Sequence, residues 1–245
     1  MTPTPRAHDA RVLLVAAAPA EVRAVQSAFG LAEAPLEPWT AQRLSGRCDL
    51  ARSGIGKTNA AACVARLLPG PYAAVLSVGV AGSLPGAELG LGRSVLATEC
   101  VYADEGIVMP GGFSDCGQMG FPLGGFPGRS VPVDMGLFGL LRPLVDEAGP
   151  IATVSTCSGT DDAAAQVAAR TRAVAEAMEG AAVAHVAHAL GVRAGEVRTV
   201  SNSTGDRERQ AWDLKTALGA LSRVLGRARP VLENGPLTPV PAGRA

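Results

Sequence analysis

The chain has no excess charge of either sign: 22 basic residues balance 22 acidic ones over 245 positions. That balance removes the electrostatic footprint of a nucleic-acid or membrane-surface binder. It also lacks a membrane-length start, because the first apolar run, Val12 to Ala18, falls far short of a bilayer span. Met1-Thr2-Pro3-Thr4-Pro5 has no signal-peptide character. The cysteines, Cys48, Cys63, Cys100, Cys116 and Cys157, are odd in number and widely spaced, with no Cys-x-x-Cys pair. Neither a disulfide framework nor a zinc site is expected from them. A reduced, soluble, cytoplasmic protein is the expectation. Internal repeats and composition shifts are missing too, which favours one domain over two.

What the chain does have is apolar content, 47% of residues against 18% charged, ample for a large core. Short β-type runs alternate with longer helical ones, the pattern of an α/β sheet covered by helices. Strands are predicted at Arg11–Ala16, Cys48–Arg52, Ala74–Val78, Ser94–Thr98, Ile151–Ser155 and Glu196–Val200. Helices are predicted to start near Ala20, Thr58, Asp134, Thr160, Met178 and Trp212. Thr160-Asp161-Asp162 forms an N-terminal cap, and Gly30 and Gly70 follow helix ends. Met109 to Arg129 holds seven glycines and three prolines. A loop of that length reads as a lid or an interface segment. Residues 1–10 are expected to be a flexible N-terminus, 11–228 the folded domain, and 229–245 a disordered tail.

Several short motifs bear on chemistry. Ser53-Gly54-Ile55-Gly56-Lys57-Thr58 ends like a phosphate loop, but the full pattern requires glycine where Ala51 stands. A glycine turn joining strand to helix is the better reading. Glu21 sits in a first helical turn just past a strand's carboxyl end, where α/β proteins bind ligands. Val78-Gly79-Val80-Ala81-Gly82-Ser83 brings backbone close to a ligand or simply makes a turn. His185 and His188 lie three apart with no third ligand nearby, so no metal is assigned. Glu179 opens an apolar helix. Asn202 ends the strand before it reaches Gly205. An amide donates and accepts side by side, whereas a carboxylate only accepts.

In their order and spacing these pieces resemble the purine nucleoside phosphorylase and nucleosidase superfamily, from about Arg11 to Leu225. The residues carrying the resemblance are Ala18-Pro-Ala-Glu21-Val22, Ser53-Gly-Ile-Gly-Lys57, Val78-Gly-Val-Ala-Gly82, Met178-Glu179-Gly-Ala-Ala-Val-Ala-His185 and Val200-Ser201-Asn202. Within the superfamily the chain is most similar to methylthioadenosine/S-adenosylhomocysteine nucleosidases and futalosine hydrolases. The implied fold is a single-domain, three-layer α/β structure with a mixed, twisted central sheet flanked by helices. The implied partners are a small nucleoside substrate and further copies of the chain, as a homodimer or higher homo-oligomer. No cofactor is implied.

By that resemblance Glu21 activates a hydrolytic water, Glu179 grips the ribose hydroxyls and Met178 packs on the sugar. Val80, Ala81 and Gly82 line the substrate, Asn202 addresses purine N7, and Trp212 packs on the 5′ group. Two departures shape the expected reaction. Where phosphorylases place an arginine and a serine around phosphate, this chain has Ser77 and Val80, which favours water, although Arg23 lies nearby in sequence. Where adenine-specific members carry an aspartate, it has Asn202. One amide matches O6 and N7–H of a 6-oxopurine, and mispairing there costs about 1–3 kcal/mol.

The expectation is therefore release of hypoxanthine from futalosine, a step of a menaquinone route. Arg207 and Arg209 are candidates for the aryl carboxylate of that substrate. Asp206 is the nearest candidate to protonate N7. Phe113, Phe121 and Phe126 are candidates to stack on the base. An adenine-releasing nucleosidase and a 6-oxopurine phosphorylase are the alternatives. A non-catalytic nucleoside binder is disfavoured by retention of both Glu21 and Glu179.

Overall fold

All six predicted strands form, and five more join them. A computed structural model describes residues 10–236 and contains eleven strands and six α-helices there. Strands β1 (Arg11–Ala16) and β3 (Cys48–Arg52) have the bounds expected from sequence. They lie side by side in parallel, with β4 (Tyr72–Ser83) on the other flank of β1. Leu13 and Val15 face one core, whereas Val12, Leu14 and Ala16 face the other. Burial on both faces is why β1 reads as an unbroken apolar run.

The main sheet runs β10-β9-β5-β11-β4-β1-β3-β2, with β8 (Ser130–Pro132) added beside β5 (Ser94–Tyr102). Its pairings are mixed: β11 (Arg193–Ser203) is parallel to β4 and antiparallel to β5. The short β2 (Ala41–Arg43) forms the far edge. At the other end β10 (Ala175–Ala177) pairs with both β9 (Glu147–Thr153) and β4. The sheet thus curls into a ring of five strands, β4, β11, β5, β9 and β10. Helices α2 (Lys57–Leu67) and α5 (Gly180–Ala189) pack together on one face. Helices α1 (Pro19–Ala28) and α6 (Leu214–Asn234) pack together on the other, with α3 (Met135–Leu141) beside them. Helix α4 (Asp161–Thr171) lies against β9, its Thr160 hydroxyl capping Ala163 N–H at 3.2 Å.

Two expectations change. Helix α6 runs through Pro230 to Asn234, so the folded part extends past residue 228 into the stretch assigned to a tail. Leu225, Ala228 and Leu232 continue the buried stripe that Leu221 and Val224 begin. That helical spacing outweighs the proline and glycine content of the segment. Residues 1–9 and 237–245, the rest of the expected flexible ends, lie outside the described residues. The Met109–Arg129 stretch also has structure at its start. There β6 (Gly106–Met109) and β7 (Gly112–Asp115) form a hairpin.

Candidate active site

Glu21 is held by backbone. Pro19 sets the first turn of α1, and the Glu21 side chain folds back beneath it. Its Oε2 accepts from Ala17 N–H at 3.0 Å and Ala18 N–H at 2.9 Å, and Oε1 accepts from Val80 N–H at 2.9 Å. A Cβ at Gly79 would overlap that carboxylate, so the glycine is what lets the acid lie against β4. Burial pushes the Glu21 carboxyl above its ordinary range, partly offset by Arg198 and the backbone donors.

Arg198 stands at the centre of this cluster, fully buried on β11. Its Nε donates to Glu196 Oε1 at 2.8 Å, and Nη2 donates to Ser77 Oγ at 3.0 Å. Nη2 also lies 3.2 Å from Glu179 Oε2. Glu179 is the residue before α5, and its Oε1 accepts from Gly56 N–H at 3.0 Å. The glycine turn once suggestive of a phosphate loop therefore serves a carboxylate. Lys57, the other phosphate-loop feature, is paired with Asp104 and, at 2.8 Å, with Glu105. Glu196 lies beneath Gly180, where any Cβ would overlap it, and its Oε2 has no hydrogen-bond partner among the described residues. Burial raises the Glu196 carboxyl, with Arg198 opposing. Burial also works against the charge of Arg198, but Glu196, Glu179 and Glu21 outweigh it and hold the guanidinium protonated.

A cavity of about 330 Å³ adjoins the cluster, lined by Gly82, Ser158, Glu176, Asn202, Arg207 and Trp212, among others. That volume is in the range of small-ligand sites. Val80, on Glu21, and Gly82, in the cavity wall, are two residues apart on β4, about 7 Å along the strand. A bulge in β11 at Ser201 puts Asn202 opposite Gly82. Ser201 Oγ donates to Asn202 Oδ1 at 2.8 Å, and Asn202 Nδ2 donates to Ser203 O at 2.9 Å. On the far side Glu176 accepts from Ser158 N–H at 2.8 Å and Ser158 Oγ at 2.7 Å. Burial raises the Glu176 carboxyl, with those two donors opposing.

The expected site residues divide. Glu21, Glu179 and the Val80 amide meet in the acid cluster, whereas Gly82, Asn202, Trp212 and Arg207 meet at the cavity. Ala81 is buried between them, and Met178 packs partly buried on Val154, Val167 and their neighbours. Trp212 is half exposed and pairs with Asn202 across an isolated bridge; the Arg207 guanidinium lies 4.3 Å from its ring centre. Arg209 is spent on Asp161 and Asp206, at 2.7 and 2.8 Å.

Asp206 does not suit the part of proton donor. Glu208 N–H and Arg209 hold its carboxyl below the usual range, and it does not line the cavity. The three phenylalanines are elsewhere as well: Phe113 lies under Arg170, Phe126 packs on His185 and His188, and Phe121 is exposed. Arg23 points outward to Glu33. Among the described residues no group of three or more His, Cys, Asp or Glu side chains is placed to hold a metal ion. Sequence reasoning missed Arg198, Glu196, Glu176 and Ser158. A period-2 run of Glu196 and Arg198 inside an otherwise apolar strand was the available signal.

A family model described as the phosphorylase superfamily matches residues 42–232. The chain belongs to the phosphorylase superfamily. Within it, the chain is 36% identical over 206 residues to the futalosine hydrolase of Streptomyces coelicolor, covering 80% of this chain and 84% of that protein. It is 39% identical over 181 residues to the futalosine hydrolase of Thermus thermophilus, covering 71% and 78%. Among solved structures, an S-adenosylhomocysteine nucleosidase from Streptococcus pyogenes in complex with 5-methylthiotubericidin superposes with a TM-score of 0.73. It is 22% identical, over 92% of this chain and 97% of that one. The futalosine hydrolase of Helicobacter pylori superposes with a TM-score of 0.69 at 20% identity, over 88% and 95%. These superpositions bear out the superfamily fold, a mixed sheet between helical layers.

Proposed function

We propose that this protein is a futalosine hydrolase that cleaves the N-glycosidic bond with water and releases hypoxanthine, as a step toward menaquinone. The observation that carries hydrolysis is the environment of Arg198. A phosphate nucleophile needs uncompensated positive charge, yet this guanidinium is already matched by Glu21, Glu179 and Glu196. An entering dianion would be repelled by that excess of carboxylates, whereas neutral water would not. The substrate follows from the relatives of 36–39% identity and from Asn202 in the cavity wall.

In the proposed reaction, water attacks C1′ while the electron pair of the C1′–N9 bond leaves with the base. Glu21 takes the proton from water, which its raised carboxyl suits better than an ordinary glutamate. Glu179, fixed by Gly56 and Arg198, orients the ribose hydroxyls and stabilises the cationic sugar. Met178 packs on the sugar. Val80, Ala81 and Gly82 form the wall behind the substrate, with Trp212 and Arg207 beside the 5′ substituent. Asn202 Nδ2 donates to O6; the departing purinide takes a proton at N7 from a solvent water, and Asn202 Oδ1 then accepts from the N7–H so formed.

We also read the protein as a cytoplasmic homo-oligomer: Ile107, Val108 and Met109 on the β6–β7 hairpin and the nearby Phe121 expose apolar surface suited to a second copy. No helix among the described residues is long and apolar enough to cross a membrane.

The test is incubation with futalosine, inosine and methylthioadenosine, each with and without phosphate, followed by identification of the free base. Hypoxanthine from futalosine, independent of phosphate, is the expected result. Adenine from methylthioadenosine with futalosine untouched would overturn the substrate. Dependence on phosphate would overturn the nucleophile.

A further inference from the structure

Three adjacent strands place three unlike residues abreast. On β4, Gly82 is in register with Glu176 of β10 on one side and with Asn202 of β11 on the other. Residues directly opposite across paired strands project to the same face, so the carboxylate and the amide flank a position without a side chain. Two strand spacings separate their backbones, about 10 Å. All three line the same cavity. A Cβ at Gly82 would stand 2.7 Å from Thr204 Cγ2 and 3.1 Å from Asn202 Nδ2, so the gap exists because residue 82 is glycine.

Glu176 is nearly inaccessible, and nothing in the hydrolytic step uses it. Among the described residues its two hydrogen bonds are both accepted, from the N–H and hydroxyl of Ser158, with the Arg170 charge also favouring the carboxylate. Each carboxylate oxygen therefore keeps a further acceptor position, and two donors fix the group in place. The Ser158 strap is itself anchored, since Ser158 O accepts from Gln210 Nε2 at 3.2 Å and Gln210 Oε1 accepts from Trp212 Nε1 at 2.7 Å. A charged acceptor has thus been built, at the cost of burial, into the wall facing Asn202.

We infer that Glu176 is a specificity-determining residue that accepts the N1–H of a 6-oxopurine held edge-on over Gly82, with Asn202 on the O6/N7 edge. The two residues then read adjoining edges of one ring. A 6-oxopurine presents N1–H to the carboxylate and O6 to the amide. Adenine presents a lone pair at N1, which a carboxylate repels. The inference deepens the proposed function and rests on its assignment of a 6-oxopurine to this cavity.

The test is titration calorimetry of free hypoxanthine and 1-methylhypoxanthine, which lacks the N1–H, against the full-length wild type, Glu176→Gln and Glu176→Ala. Futalosine cleavage by the wild type is measured in parallel. The wild type is expected to prefer hypoxanthine over the methylated base by about 10- to 100-fold, the scale of a hydrogen bond to a charged group. In Glu176→Ala that ratio should fall to near one, with Glu176→Gln between. A role of Glu176 in merely holding Ser158 would weaken both bases together and leave the ratio unchanged, which overturns the inference. So does equal binding of the two bases by the wild type, even if futalosine is cleaved. A strong N1 preference without futalosine cleavage supports the slot and overturns the proposed substrate instead.

Discussion

Replacing Arg198 with methionine removes the one cation from a group of three buried carboxylates. The side chain loses its 2.8 Å bond to Glu196, its 3.0 Å bond to Ser77 and its 3.2 Å pairing with Glu179. Breaking a buried pair from one side costs about 3–5 kcal/mol, because the remaining charge is left without a partner. Domains hold only about 5–15 kcal/mol in total. For a chain of this size the melting midpoint should fall by roughly 6–20 °C. The loss should also depend on pH in a defined direction. Glu21 and Glu196 already titrate above 4.5, the ordinary glutamate value, and removing Arg198 raises them further. A group raised in the folded state stabilises fully below its unfolded pKa and loses that contribution as pH rises through the folded one. Arg198→Met should therefore be weakest near neutral pH and recover as pH falls toward 4.5. Adding Glu196→Gln should restore part of the stability at neutral pH, since it neutralises a buried acid. Urea denaturation followed from near 4.5, the ordinary glutamate value, up to neutral pH reads all three effects. A loss under about 1 kcal/mol, or a second substitution that adds to the damage, would refute the account of Arg198 as charge balance.

Other outcomes follow from the same site. Glu21→Gln should lower kcat by about 10²- to 10⁴-fold with little change in KM, and unchanged KM with unchanged kcat would remove it as the base. Because the acting form is the carboxylate and its pKa is raised, kcat/KM in the wild type should fall off on the acid side at a higher pH than for an ordinary glutamate. A pH profile flat down to 4.5, the ordinary glutamate value, would contradict this. Asn202→Asp should weaken action on the 6-oxo substrate with the fold intact, as seen by base release and circular dichroism; an unchanged preference would end the amide reasoning. Gly180→Ala drives a methyl into Glu196 and should destabilise the protein by more than an exposed glycine change such as Gly46→Ala, measured by thermal melting.

Much of the fold was legible from hydrophobic pattern, for identifiable reasons. Strands β1 and β3 are buried on both faces and punctuated by turns, so their ends read correctly. Strand β10 did not, because Ala175-Glu176-Ala177 is three residues long and continues into a helix-like run. Glu176 accordingly gave no sign of being a cavity wall. At the site, Glu21, Glu179 and Asn202 were legible because each sits at the boundary of an element, where side chains reach ligands. Arg198 and Glu196 were not, because their meaning depends on partners at Ser77 and Glu179 that only strand pairing supplies. The neighbouring arginines 207 and 209 looked alike in sequence, yet only Arg207 lines the cavity; Arg209 found Asp161, 48 positions away in the chain.

The ring formed by β10 has a consequence for how the protein becomes active. Gly82 meets Asn202 and Glu176 only once β11 and β10 have both docked on β4, joining segments about a hundred residues apart. Such non-local pairings are the slow steps of folding. Enzyme activity should therefore return with the slowest refolding phase, later than helical signal. Recovery of activity in step with the fastest phase would show instead that the ring closes early.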